Sequence, residues 1–316
     1  MKPFFLLRLQ KAWHFLEPLV TSAIKCFPKL INLVLFRVLA KVFRVRSIAV
    51  DGDQGMFFGS PLDLGVFGRY LMRGTYSPDI TGLILKTFEG KNGGTFVDIG
   101  ANIGLITVPV ARAGIDCISF EPDPENFEFL KRNVEAAGVA AKVTLYNLAI
   151  YDREAQLSFE KSDWNFGDHR IRNVDQPAEG IFGEQHRRVI AVDATTLDGK
   201  LAVGSLKKPI VIKIDTEGAE VNVFRGGKNF LAQSDLIIFE YCPYLIRRLG
   251  ENEGALIEFA ERNFKYGLIL SDDTEGGGLV FSPIAEILAR LRSFTYRPSN
   301  PGYLDIVLSN CDLAAE

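Results

Sequence analysis

The 316-residue chain holds only four cysteines, three histidines, three methionines and two tryptophans. Cys26, Cys117, Cys242 and Cys311 stand singly, with no Cys-x-x-Cys pair and no histidine at ligand spacing, so neither a zinc site nor a disulfide framework is encoded. They read as small buried hydrophobes of a chain kept in a reducing compartment. Long apolar runs are also missing. Within the first 46 residues no charge-free stretch is longer than the seven residues 30–36, whereas a membrane-spanning helix needs about 20. The apolar run 3–7 is too short for a signal-peptide core and no small-residue cleavage site follows it, which predicts a cytoplasmic protein. Charge of one sign is lacking as well: 36 Lys and Arg against 39 Asp and Glu leave a formal −3, and this balance speaks against a nucleic-acid partner.

The chain is 47% hydrophobic and 24% charged, enough for a sizeable buried core. Its charge is unevenly placed. Residues 1–46 carry nine Lys and Arg against the single Glu17, a net of +8, while the remaining 270 residues carry 27 against 38, a net of −11. Residues 4–44 read as two or three helices interrupted near Pro18 and Pro28, with Leu30, Leu33, Val34, Val38 and Val42 on one stripe. The reading is therefore a basic amphipathic helical extension over 1–46 and a second domain over 47–316. Three arrangements fit the extension: contact with an anionic membrane surface, placing the protein peripherally at the inner membrane, packing on the acidic body, or a helical partner interface. A homo-oligomer is compatible with the last.

A connecting segment rich in Gly, Asp and aromatics follows residue 47, and beyond Lys91 short apolar strands alternate with helical stretches. Strands are expected at 95–99, 116–120, 142–148, 210–214 and 236–240, mostly β-branched or aromatic and continuous enough for burial on both faces. Helices are expected at 103–113, 124–137, 219–230 and 253–263. The second is the best punctuated, with Asp123 as cap, Pro124 at its first position and Gly138 past its end. Pro109 should kink or shorten the first. The alternation predicts an α/β, doubly wound, mostly parallel sheet. An excursion between Ile150 and Pro209 holds two expected strands, 155–160 and 188–192, flanking a polar loop, 161–187, that contains Trp164, Asn165, Phe166, Gly167, Asp168 and His169. A loop of that length rich in aromatics points to function.

Three segments carry chemistry. In Val97-Asp98-Ile99-Gly100-Ala101-Asn102-Ile103-Gly104 a strand turns into a helix, and Gly100 and Gly104 let backbone approach a ligand at the positive end of that helix. Asn102 falls where a dinucleotide fingerprint needs its central glycine, so a pyrophosphate would meet side chains; a small amino-acid carboxylate would fit. Glu121, at the tip of the second strand, has the place of a carboxylate that accepts hydrogen bonds from vicinal ribose hydroxyls, which points to a nucleoside-containing cofactor. In Ile212-Lys213-Ile214-Asp215-Thr216-Glu217-Gly218-Ala219-Glu220 a buried strand runs into acidic residues, placing Asp215 and Glu217 at the carboxyl edge of the sheet. Carboxylates there can deprotonate a hydroxyl, hold a metal or bind a polar substrate.

These three segments together, with Phe120-Glu121-Pro122-Asp123-Pro124 as the second, resemble the FkbM family of S-adenosylmethionine-dependent methyltransferases, over roughly residues 55–270. The resemblance implies a Rossmann-like seven-stranded methyltransferase sheet whose last strand, here 304–309, runs antiparallel. It implies O-methylation of a sugar, glycan or natural-product hydroxyl, with S-adenosyl-L-methionine as donor. By resemblance Asp98, Gly100, Ala101, Asn102 and Gly104 would line the methionine end of the donor, Glu121 would hold the ribose, Asn147 to Ala149 would face the adenine, and Asp215 would sit near the sulfonium. Pro109 and Thr216, where Val is commoner, are small departures.

Methyl transfer asks for alignment of oxygen, methyl and sulfur and removal of one proton. Candidates for the base are Asp215, Glu217 and His169, the last with an unperturbed pKa of about 6.5. Glu240, Trp164 and Asn165 are candidates for acceptor binding. No complete ligand set is visible, so no metal is expected. Two other classes share this pattern, an NAD-dependent oxidoreductase, against which Asn102 stands, and a non-catalytic S-adenosylmethionine-binding protein, against which the acidic motif stands.

Overall fold

The computed structural model describes residues 37–173, 187–270, 280–294 and 302–311. Expectations for residues 1–36 and 174–186, including Cys26, lie outside the described residues. The described chain enters through a helical segment at 37–42. The stretch read as a connection is a hairpin, β1 (Ile48–Gly52) against β2 (Gly55–Gly59), which turns at Asp53 and Gln54. Two helices follow, α1 (Phe67–Arg73) and α2 (Pro78–Phe88).

The body then alternates as its hydrophobic runs predict. β3 (Thr95–Ile99) is buried at every position and leads into α3 (Thr107–Arg112). This helix starts four residues later than expected because Asn102 and Gly104 both take left-handed backbone, φ 52° and 87°, which an α-helix cannot include. Pro109 consequently falls in the first turn, where its missing N–H has no intrahelical partner to lose. β4 (Asp116–Phe120) is followed by α4 (Pro124–Ala136), capped by the Asp123 carboxylate, which accepts from the N–H groups of Glu125 and Asn126. β5 (Val143–Tyr146) is shorter than expected at both ends.

The excursion forms a sheet of its own. β6 (Ala149–Ile150), β7 (Ala155–Lys161), β8 (Arg170–Ile171) and β9 (Arg188–Thr195) lie in the order β6-β9-β7-β8, with β7 and β9 antiparallel along their length. A short α5 (Leu197–Lys200) returns the chain to β10 (Ile210–Ile214), again buried at every position. The expected helix 219–230 is split into α6 (Glu220–Gly226) and α7 (Lys228–Leu231). The remaining elements are β11 (Leu236–Tyr241), α8 (Pro243–Arg248), α9 (Gly254–Asn263), β12 (Tyr266–Leu270), β13 (Ser282–Pro283), α10 (Ile284–Ser293) and β14 (Leu304–Ser309).

The main sheet runs β13-β12-β14-β11-β10-β3-β4-β5. β5, β4, β3, β10 and β11 are parallel, and β14 is antiparallel to both its neighbours, as expected of the last strand. Among the described residues the sheet has eight strands rather than seven, the extra one being the two-residue β13 at an edge, where Pro283 needs no ladder donor. Alternate residues fill the two faces: Phe96, Val211, Ile238 and Val307 belong to one core, Val97, Ile212, Ile237 and Ile306 to the other. Chain order reverses between β3 and β10, so the carboxyl ends of those two strands open a crevice at the switch point where ligands of open α/β sheets bind.

Candidate active site

That crevice is a cavity of about 780 Å³. Its floor is the turn after β3. Gly100 (φ 85°) gives its N–H to the Phe120 carbonyl, and a side-chain carbon built on it would overlap the Asp215 carbonyl oxygen at 1.9 Å, so only glycine lets the β3 turn cross the β10 tip. Gly104 is left-handed too, and a carbon there would come 2.7 Å from Leu130.

Glu121 faces this turn. Its Oε2 accepts from the Asn102 N–H at 2.8 Å and its Oε1 from the Asp123 N–H at 2.9 Å, which fixes the carboxylate and leaves each oxygen a further lone pair. Burial, and after it the neighbouring Asp123, raises its pKa to about 8. Asp98, Gly100, Ala101, Asn102, Glu121 and Ala149 all line the cavity. Gly104 is not among the lining residues, and its N–H donates to the carbonyl of Ala101 at 2.9 Å. Asn147 also stands outside it: the side chain is exposed, and its Nδ2 donates to the carbonyls of Glu121 and Pro122, tying the ends of β4 and β5 together.

A residue without an assigned role in the sequence analysis organises the floor. Lys213 is the fourth of the five residues of β10, and its ammonium sits 3.1 Å from Asp215 Oδ2, 3.5 Å from Asp98 Oδ1 and 3.3 Å from the Gly100 carbonyl. Burial alone would lower its pKa, but Asp215 and Asp98 more than offset that and the ammonium stays charged. Asp98 is fixed from the other side by the Thr107 hydroxyl, 2.6 Å from its Oδ2. A lysine within an otherwise aliphatic strand, IVIKI, is the signal that marks it in the sequence, because a buried ammonium requires carboxylate partners. Tyr76 also lines the cavity, its phenol pKa raised by burial and by Asp215.

Next to the floor, Asp215, Glu217 and Glu240 each bring one carboxylate oxygen within 4.8 Å of the other two. The three come from the tips of β10 and β11, adjacent parallel strands. Asp215 is paired with Lys213, whereas among the described residues Glu217 and Glu240 have no hydrogen-bond or ion-pair partner. Glu217 is held well above the usual carboxylate range by burial and then by Asp168 and Asp215, and Glu240 by burial and then by Glu217 and Asp215. Glu217 itself takes left-handed backbone, φ 55°, ahead of Gly218.

The aromatic loop covers the crevice. The Asp63 carboxylate accepts from the Phe166 N–H, while the Phe166 carbonyl accepts from Asn102 Nδ2 at 3.1 Å and Asn126 Nδ2 at 3.2 Å. Trp164 and Asn165 line the cavity, Trp164 with its ring half exposed and its carbonyl bonded by the Leu64 N–H at 2.7 Å. His169 lines it as well, but its chemistry differs from the expectation. Its Nε2 donates to the Ser162 carbonyl at 3.1 Å, its ring lies against Phe166, and burial lowers its pKa to about 4 despite Asp123 Oδ2 at 3.8 Å. A neutral, weakly basic imidazole is what the site holds at neutral pH. Nearby Asp168 is gripped by Arg170 and Arg187, which also reach Glu160.

The profile of the methyltransferase FkbM domain matches residues 98–298, which contain every part of this cavity except the strip before β3 and the β14 end. Among curated proteins, the chain is 26% identical over 197 residues to the 2-O-methyltransferase NoeI of Sinorhizobium fredii, covering 60% of this chain and 79% of that one. It is 26% identical over 163 residues to the hexuronic acid methyltransferase AglP of Haloferax volcanii, covering 51% and 61% respectively. To Methyltransferase 1 of Beauveria bassiana it is 30% identical over 144 residues, covering 41% and 57%. The match thus spans about three-fifths of the length of the last two.

Proposed function

The chain belongs to the FkbM methyltransferase domain family, and from that premise we propose that it is an S-adenosyl-L-methionine-dependent O-methyltransferase acting on a hydroxyl of a sugar, glycan or related polyol. One observation carries the reading: a single cavity brings the glycine turn and Glu121 on one side together with Asp215, Glu217 and Glu240 on the other.

The donor half suits the proposed cofactor. The bare backbone of Gly100 accommodates the methionine end, and the spare lone pairs of Glu121 match two vicinal ribose hydroxyls. S-adenosylmethionine supplies an electrophilic methyl on a sulfonium. The acceptor oxygen forms the new bond to that methyl as the carbon–sulfur bond breaks, its electrons leaving with sulfur, and the hydroxyl proton passes to a carboxylate. The Glu217–Glu240 pair takes that proton. Burial and mutual repulsion raise both carboxyls above the usual carboxylate range, and an ionised member of the pair accepts the proton. Asp215, fixed by Lys213, orients the acceptor hydroxyl, and His169, neutral and packed on Phe166, positions the covering loop.

Calorimetric titration of the full chain with S-adenosylmethionine, S-adenosylhomocysteine and NAD tests the donor. Binding of the first two, lost in Glu121→Ala, supports the reading; binding of NAD alone sinks it. For the extension we propose peripheral contact with an anionic membrane. The described residues support this by exposing Val38, Val42 and Phe43 beside Arg37, Lys41, Arg44 and Arg46.

A further inference from the structure

The amino-acid end of S-adenosylmethionine carries an ammonium and a carboxylate, and the cavity treats the two unequally. The ammonium has acceptors at hand, Asp98, Glu121 and Asp215 among them. The carboxylate has few donors. The amides of residues 100–104 are all bonded within the protein: Gly100 and Ala101 to the Phe120 carbonyl, Asn102 to Glu121, Ile103 to the Asn102 side chain and Gly104 to the Ala101 carbonyl. Among the described residues the lining has three basic side chains, Arg69, His169 and Lys213. His169 is neutral, its pKa lowered to about 4 by burial, and Lys213 is divided between Asp98, Asp215 and the Gly100 carbonyl.

Arg69 differs from both. It belongs to α1, is exposed, lines the cavity and has no hydrogen-bond or ion-pair partner among the described residues. Its guanidinium is a permanent charge with a fork of donors shaped for a carboxylate. The Tyr76 hydroxyl, also in the lining, has no hydrogen-bond partner among the described residues either. The phenol feels the charges of Asp215, Lys213 and Arg69, which sets these groups around the corner where Lys213 meets Asp98 and the Gly100 carbonyl. That corner is the methionine end of the donor half. Both residues stand on fixed backbone. The Asp63 carboxylate accepts from the N–H groups of Gly65, Val66 and Phe67 at the start of α1, and the Gln54 side chain accepts from the Tyr76 N–H at 2.7 Å and donates to its carbonyl at 3.0 Å.

We infer that Arg69, with the Tyr76 hydroxyl as second donor, receives the carboxylate at the amino-acid end of S-adenosylmethionine, an inference that rests on the methyl-transfer reading. Both residues precede the matched family domain, which starts at residue 98, so a segment outside that domain completes the donor site.

Titration calorimetry on the full chain compares S-adenosylhomocysteine with decarboxylated S-adenosylhomocysteine, which keeps the ammonium and the ribose and lacks only the carboxylate. The unaltered chain should prefer the carboxylate-bearing ligand by about ten-fold or more, as one charge-assisted pair implies. Arg69→Gln should weaken that ligand by about the same factor and leave the decarboxylated one within about two-fold, with the melting temperature unchanged because the side chain is exposed. Arg69→Lys should recover part of the preference, and Tyr76→Phe should lose a few-fold on the carboxylate-bearing ligand alone. An undiminished preference in Arg69→Gln overturns the inference and frees this cation for an anionic group of the acceptor. Equal weakening of both ligands also overturns it, since Arg69 would then not be reading the carboxylate. An unaltered chain that binds neither ligand sinks the methyl-transfer reading itself.

Discussion

A side-chain carbon on Gly100 would stand 1.9 Å from the carbonyl oxygen of Asp215, so the donor-side turn and the acceptor-side strand tip are in direct backbone contact. Gly100→Ala must both hold φ near 85° and push β10 away. The left-handed strain alone is worth about 1–2 kcal/mol, and the displaced backbone adds to it. We expect a clear fall in melting temperature and donor binding weakened at least about ten-fold, that is by about 1.4 kcal/mol. An unchanged melt with intact binding would contradict the contact.

Lys213→Met tests the buried triad. The substitution keeps the volume but leaves the buried Asp98 carboxylate without its cation. Removing one partner of a buried pair costs about 3 kcal/mol or more, whereas a lysine that merely fills space would cost under about 1.5 kcal/mol in a swap to methionine. Chemical denaturation separates the two. Partial recovery in Asp98→Asn combined with Lys213→Met is expected, because the uncompensated charge is then gone.

Glu121 gives donor affinity a pH dependence. Its folded pKa is raised to about 8, chiefly by burial, so the ionised carboxylate, the stronger acceptor for ribose hydroxyls, accumulates as pH rises through that value. Methylthioadenosine, which has the ribose but no amino-acid end, should bind a few-fold more tightly at pH 9 than at pH 6.5. In Glu121→Gln the dependence should vanish. Titration calorimetry at three pH values reads this directly.

Much of the frame was legible because local chemistry and burial agree there. Thr95–Ile99, Asp116–Phe120 and Ile210–Ile214 were read to the residue, and Asp123 caps α4 as its place before Pro124 implies. Legibility failed where tertiary contacts set the backbone. The first helix starts late because the turn around Asn102 and Gly104 is shaped by Glu121, Phe120 and Phe166, all distant in sequence. The β1–β2 hairpin was hidden by its glycines and aspartates, which read as a linker. In the site, residue types were legible but titration states were not. His169 offers an ordinary imidazole in the sequence, and only its burial against Phe166 lowers its pKa to about 4. Asn147 sits at the expected strand end, yet its side chain turns to the Glu121 and Pro122 carbonyls instead of the cavity.

The face formed by Val38, Val42 and Phe43 with Arg37, Lys41, Arg44 and Arg46 predicts vesicle binding by the full chain. Sedimentation with phosphatidylserine-containing vesicles should pull the protein down at low salt, and less so as salt screens the basic residues. Val42→Asp with Phe43→Asp should reduce the bound fraction several-fold while leaving the melting temperature in place, since both side chains are exposed. No binding at low salt would assign this face to packing with protein, and equal binding to uncharged vesicles would remove the anionic-surface part of the proposal.

The proton acceptor can be identified from the shape of the pH profile. Glu217 and Glu240 are both held well above the usual carboxylate range, so the fraction able to accept a proton grows as pH rises, and turnover should climb across the neutral range toward alkaline pH. Glu217→Gln should lower turnover about 100-fold or more while donor affinity stays within a few-fold, the pattern of a lost general base. Glu240→Gln acts differently. The charge of Glu217 raises the pKa of Glu240, and by reciprocity Glu240 raises that of Glu217, so neutralising Glu240 should move the rising limb to lower pH. His169→Gln should leave the limb where it is, because a group with a pKa of about 4 is already deprotonated throughout the range. A limb that disappears in the His169 variant and persists in both glutamate variants would transfer the base to the imidazole and return the carboxylate pair to acceptor binding alone.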